Sequence, residues 1–233
     1  MSKRKPKRQY STGKSMSHSA NYQVIRAVFV LFLPFLASCA TVYTAPDFSD
    51  YQARHKTVAI LPFDVSINPE RRWSVSQQQI NQMASEQAAS FQRALYTQYL
   101  QGQQRGSFTV EFQDISETNT LLTRKAVSGN TQKLLSTMTK SEICDALKVD
   151  AVISGEMVLT KPMGTLESIA SLHFFKIPGS TNEVHVNTSI HEGGQGKLIW
   201  NYDFMQQGSH WASVESLAKH LIRSTARNFP YRK

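Results

Sequence analysis

Two cysteines in 233 residues are too few for a disulfide scaffold. No apolar run approaches the roughly 20 residues of a membrane-spanning helix; AVFVLFLPFLA, at 27–37, would rise only ~16 Å. Acidic residues are missing from positions 1–26, which hold Lys3, Arg4, Lys5, Lys7, Arg8, Lys14 and Arg26, seven of the nine excess positive charges. From position 39 onward 19 basic residues face 17 acidic ones, so the folded part offers no strong footprint for nucleic acid. Also missing are a GxSxG elbow, a Walker loop, HExxH, a paired CxxC, an internal repeat and a second domain boundary. What is present, with 40% apolar residues, is enough to bury a core, which excludes disorder throughout.

A basic stretch, a short apolar run and small residues, in that order, make a secretory signal peptide over residues 1–38. Its closing residues Leu36, Ala37, Ser38 and Cys39 resemble the bacterial lipobox. Ala37 and Ser38 suit an extended peptidase groove, and Cys39 lies where a thiol meets the membrane surface. The resemblance implies cleavage before Cys39, lipidation of its sulfur and acylation of the new amine. At ~0.8 kcal/mol per buried CH₂, three acyl chains hold far more firmly than one. The partner this implies is a membrane, reached through a lipid anchor. Cys144 is then the one thiol left, and its place between Ile143 and Leu147 in a helical pattern predicts a buried core residue.

Residues 39–56 show neither a period of two nor one of 3.6, and read as a lipidated N-terminus with a short tether. TVAILPF at 57–63 reads as a strand buried on both faces, closed by Pro62. Ser74 is a candidate cap for a long helix whose Met83, Phe91, Leu95 and Tyr99 share a stripe opposite a Gln/Ala-rich face. FTVEF at 108–112 alternates like a strand, and helices are expected at about 116–126 and 131–148, the second interrupted at a capping box from Thr139 to Glu142. DAVISGEMVL at 150–159 is a strand in which Gly155 marks a bulge or a close backbone approach. Strands at about 170–177, 183–191 and 197–205 and a helix from about 213 complete the pattern. The fold class is therefore α+β, a mixed β-sheet with helices packed on it, in a single domain over 57–233.

TVAILPF, the helix leading into DAVISGEM, the late strand GKLIWNYDF and the closing FPYRK resemble the curli-secretion-channel (CsgG-like) superfamily. That group includes lipoprotein activators of penicillin-binding proteins and lipoproteins of exopolysaccharide export. The resemblance implies a periplasmic domain that works by oligomerising or by docking on an envelope partner, with Val58 to Phe63, Asp150 to Gly155 and Trp200 in structural roles. A secretion pore of this kind needs two membrane hairpins per subunit, and here only 168–191 could supply one.

His173, His185, His191, His210 and His220 lack a Cys or carboxylate at ligand spacing and read as surface residues, so no metal is expected. Gly193-Gly194-Gln195-Gly196 joins two strands and reads as a hairpin turn in place of a phosphate cradle. Neither cofactor, small-molecule substrate nor nucleic acid is expected. The reading is a lipid-anchored envelope module, not an enzyme, on the outer membrane facing the periplasm, since Ala40 stands where inner-membrane retention uses Asp. Its partner is an envelope protein or further copies of itself. The alternatives are a channel-forming subunit and an envelope hydrolase; a pocket with a perturbed acid or His would distinguish the latter.

Overall fold

Residue types with opposite backbone preferences alternate along this chain, and the elements follow them. The computed structural model describes residues 39–68, 76–160, 183–207 and 214–233. Strand β1 (Cys39–Thr44) and helix α1 (Phe48–Arg54) precede strands β2 (Thr57–Ile60) and β3 (Asp64–Asn68). The long helix α2 (Gln77–Gln104), strand β4 (Glu111–Phe112) and helices α3 (Ile115–Lys125), α4 (Thr131–Thr137) and α5 (Lys140–Leu147) follow. Strands β5 (Ala151–Thr160), β6 (Glu183–Glu192) and β7 (Leu198–Gln207) and helix α6 (Val214–Arg227) come last. The seven strands among the described residues form one mixed sheet in the order β1-β7-β6-β5-β2-β4, with β3 paired to β5 beyond the end of β2. β5, β2 and β4 run parallel, while β5, β6, β7 and β1 are antiparallel. This is the α+β class read from the sequence.

Alternation in TVAILPF divides its side chains between two cores. Val58, Ile60 and Phe63 join the larger one, beneath α2 and α6, with Leu95, Tyr99, Trp200, Tyr202 and Phe204. Ala59 and Leu61 point the other way, into a smaller cluster with Leu122, Ile143, Cys144, Leu147 and Val152. Burial pushes the Cys144 thiol up to about 12, so it is an inert core residue.

Pro62 interrupts what would be one strand, and β3 resumes the pairing with β5 at Glu156. At the interruption Phe63 lays its ring over Gly155, which is the close approach the glycine signalled.

Three elements differ from the sequence reading. The tether over 39–56 is folded: β1 pairs with β7 from Cys39↔Met205 to Thr44↔Trp200, and Phe48 of α1 is buried. Backbone pairing supplies this strand's stability, so its side chains need no period and it gave no signal. The long helix is capped by Ser76 and not Ser74, because Ser76 and Gln79 form a reciprocal capping box. The strand at 108–112 is cut to two residues because its first part pairs with the tail, Phe108 bridging Arg232 and Thr109 donating to the Tyr231 carbonyl, and pairing with β2 starts only at Glu111. Thr139 and Glu142 do form the expected capping box, at the start of α5. The expected strand at 170–177 lies outside the described residues.

Gln92 joins α2 to the sheet and to α3. At 2% exposure, its side-chain N–H donates to the Ile60 carbonyl at 2.7 Å, and its amide exchanges two 3.1 Å hydrogen bonds with Asn119. Gln92→Leu keeps the shape but strands both partners, so stability should fall by about 1–3 kcal/mol. Urea unfolding should show a lower midpoint with an unchanged slope.

Candidate functional site

The second face of the sheet, from β5 across to β1, is polar. Register places its residues in cross-strand rows: Ser154, Ser189, Asn201 and Tyr43; Glu156, Asn187, Asp203 and Thr41; Val158, His185, Met205 and Cys39. Their side chains hydrogen-bond within and between the rows. Asn201 Nδ2 donates to Asn187 Oδ1 at 2.8 Å and to Ser189 Oγ at 2.9 Å, and His185 Nε2 lies 2.7 Å from Asp203 Oδ1. These half-exposed groups hold each other in fixed rotamers, which lowers the entropic cost of meeting a partner surface.

Of the lipobox residues, Leu36, Ala37 and Ser38 lie outside the described residues, and Cys39 is the first residue of β1. Among the described residues β1 is the outer strand of the sheet, with one side unpaired, and Val42 and Tyr43 are exposed at 48% and 46%. An edge of this kind is a template for strand addition. Cys39 and the exposed edge thus belong to one element.

Where the face meets α4 and α5 it deepens into a cleft of about 490 Å³, lined by Asp64, Lys140, Ser154, Glu156, Asn187 and His191 among others. The His191 Nδ1 atom is buried and has no hydrogen-bond partner among the described residues. Burial, and after it the Lys140 charge, push its imidazole down to about 4. Burial likewise lowers Lys140. This is the perturbed histidine that was set as the mark of a hydrolase. The polar bonds around it join Ser189 to Asn187 and Asn201, not to His191.

The chain resembles, at low identity, several solved structures. A PelC dodecamer from Paraburkholderia phytofirmans is 12% identical over 80% of this chain and 93% of that one, with a TM-score of 0.41. Lipoprotein GNA1162 from Neisseria meningitidis is 11% identical over 74% and 96%, also at 0.41. The hypothetical protein CT253 from Chlamydia trachomatis is 14% identical over 76% and 97%, at 0.34. No protein-family profile and no curated protein matches the chain.

The histidines do not converge. His185 and His191 share a face of β6 but stand six residues, roughly 20 Å, apart. His220 is on α6, and His173 and His210 lie outside the described residues. Among the described residues no three potential metal ligands come together. The HEGGQG turn is filled from within: Glu192 accepts from the backbone N–H groups of Gly194, Gln195 and Lys197 at 2.8, 2.6 and 3.2 Å. Burial raises this carboxyl, and the three donors outweigh it, holding it below the usual range.

Of the 168–191 segment, the one region that could have supplied a membrane hairpin, residues 183–191 are described, and there Val184, Val186 and Ile190 are buried in the core of the domain. Residues 168–182 lie outside the described residues. Sequence reasoning saw the wet side of β6 but missed the face as a whole; the matching alternation of Asn201 and Asp203 in NYDFM was the available signal.

His191 makes stability depend on pH. Its folded value of about 4 lies below the ordinary 6.5, so between these the unfolded chain takes up a proton that the folded one refuses. That contribution is complete above about pH 6.5 and lost as pH falls towards 4. His191→Gln should therefore flatten the decline of urea midpoints measured at pH 7, 5.5 and 4.5, relative to the unaltered chain.

Proposed function

We propose that this chain is a lipid-anchored, non-catalytic envelope protein, exported and held through Cys39, whose outer strand and polar sheet face assemble copies of it on the membrane. One observation carries the reading: the lipobox cysteine is the first residue of the strand that forms the sheet's edge among the described residues. Anchoring through Cys39 leaves no spacer, so the edge is presented at the membrane itself. Copies confined there meet at raised effective concentration, which favours weak edge contacts. Ala40 after the lipidated position supports the outer membrane, on its periplasmic side. The sequence resemblance to the CsgG-like group supports assembly as the working principle.

The test uses protein extracted from native membranes. Intact mass should show a chain starting at Cys39 and carrying acyl groups, and Cys39→Ala should leave the membrane fraction. Val42→Cys introduces an accessible thiol into a chain whose other cysteine, Cys144, is buried. A bifunctional maleimide added to whole membranes should then give a cross-linked dimer. An unmodified Cys39 behind an intact leader overturns the anchor, and a Val42→Cys chain that stays monomeric overturns assembly through β1.

A second reading, an envelope hydrolase, is favoured by the buried His191 nitrogen, without a partner among the described residues, in the cleft beside Glu156 and Asp64. Turnover of an ester, amide or glycoside substrate that vanishes in His191→Gln would establish it over the first.

A further inference from the structure

Four arginines surround a second cleft, at the opposite end of the sheet from Cys39. Arg105, Arg223, Arg227 and Arg232 line a space of about 340 Å³ floored by Phe108 and Ala226, and no carboxylate is among its lining residues. All four are exposed, and among the described residues none forms a salt bridge.

The fold places each of them. α2 ends at a tight turn in which the N–H of Gly106, at φ +66°, donates to the Gln103 carbonyl, and this sets Arg105 at the mouth. Gly102 lets the helix backbone lie against the Phe108 ring: a Cβ there would sit 2.2 Å from the ring. Arg223 and Arg227 stand one turn apart on α6. Arg232 is held by a backbone bridge to Phe108, and its guanidinium donates to the Arg227 carbonyl at 2.9 Å.

One role for such arginines is to neutralise the C-termini of α2 and α6, but the magnitudes do not match. Two helix ends supply together about one negative charge, roughly 0.5 each, against four positive ones. An excess of about three positive charges remains around an open cleft. Nearly self-neutral surfaces have no such excess, and the chain beyond position 38 carries only 19 basic residues against 17 acidic ones. Guanidinium forks match phosphate oxygens two at a time, and the cleft exceeds the size of a single phosphate.

We propose that this cleft binds a phosphoanion of two to three negative charges, such as a diphosphate or a phosphomonoester. Headgroups of the leaflet that holds Cys39 are poorly placed to supply it. The Phe204 ring, beside Ala40 in register, meets His220 at 6.3 Å, whereas Trp200, beside Thr44, meets Phe229 at 6.3 Å. The C-terminal end of α6 thus lies about five strand residues, ~17 Å, from Cys39, twice the ~8 Å screening length at physiological salt. This clause alone rests on anchoring through Cys39; the site itself does not.

The experiment uses full-length protein reconstituted in zwitterionic vesicles, titrated with inorganic pyrophosphate at 50 and 200 mM NaCl and read by calorimetry. Saturable binding that weakens with salt, and at least tenfold in an Arg223→Gln/Arg227→Gln double variant, is expected. Arg93→Gln, on the middle of α2, should bind unchanged. Both helix-surface arginines are exposed, so the double variant's melting temperature without ligand should match the parent's. A second population of phosphatidylglycerol vesicles separates the sources. Pyrophosphate binding without vesicle tethering assigns a soluble phosphoanion; tethering that pyrophosphate competes away assigns a headgroup. Absence of both, or affinities indifferent to the double substitution in a folded variant, overturns the proposal.

Discussion

Gly155→Val should leave little folded protein. A Cβ built at this position of β5 would stand 2.3 Å from Cε1 of Phe63 and 2.4 Å from the backbone oxygen of Asn187. Neither obstacle can withdraw. Phe63 is fully buried and held edge-on against Phe91 with ring centroids 4.8 Å apart, and Asn187 is tied into the β5–β6 ladder. Overpacking a tight core costs about 1–3 kcal/mol and occasionally more, and here a ring and a main-chain atom are both in the way. Alanine should therefore cost about 3 kcal/mol and valine more, against a total of 5–15 kcal/mol for ordinary domains. Adding Phe63→Ala to Gly155→Ala frees one obstacle, so the double variant should lose less than the sum of the singles. Urea midpoints of the four chains test this. A Gly155→Ala chain within 1 kcal/mol of the parent would mean that Phe63 does not pack over this glycine.

Glycine normally weakens a strand interior, so its presence in DAVISGEM was already a sign of something pressing on the backbone. That kind of signal, a residue costly where it stands, was the most legible. The split of TVAILPF between two cores, the Thr139 capping box and the burial of Cys144 were legible for related reasons: period, cap chemistry and residue size act locally. The outer strand was not. β1 is held by backbone pairing to β7, 160 or so residues along the chain, and most of its side chains stay exposed, so no local pattern records it.

The sites divide in the same way. The lipobox reading at Cys39 rests on the sequence alone, because a peptidase and a lipid donor would act on an extended peptide. The rows of the polar face and the four arginines were not readable, because each gathers residues from elements far apart. Arg105 closes one helix, Arg223 and Arg227 sit on another, and Arg232 is in the tail. Counting charge along the chain even hid the cleft, since 19 against 17 looks neutral until the fold sorts it.

The closing FPYRK segment governs the second large effect: a chain stopped after Asn228 should fail to reach the native fold. Phe229 and Tyr231 are 2% and 0% exposed. The Phe229 ring lies 4.5 Å from Tyr99, 5.5 Å from Phe108, 5.7 Å from Phe112 and 6.3 Å from Trp200, and so ties α2, β4 and β7 together at one point. Tyr231 meets Phe48 of α1 at 5.2 Å, and its hydroxyl lies 2.5 Å from His55 Nδ1. The tail's backbone also serves its neighbours: Thr109 donates to the Tyr231 carbonyl, and Lys233 donates to that of Ser107. Each buried aromatic is worth about 3–5 kcal/mol against alanine, so losing both approaches the whole stability of an ordinary domain. The two rings touch at 5.4 Å, which makes their losses overlap, and the freed N–H of Thr109 adds to the deficit. Near-UV circular dichroism should show the aromatic signal lost in the truncated chain. Phe229→Ala alone should stay folded at low denaturant with a urea midpoint lowered by the equivalent of about 3–5 kcal/mol. Phe229→Leu should recover a good part of that loss, because the junction needs volume before it needs a ring.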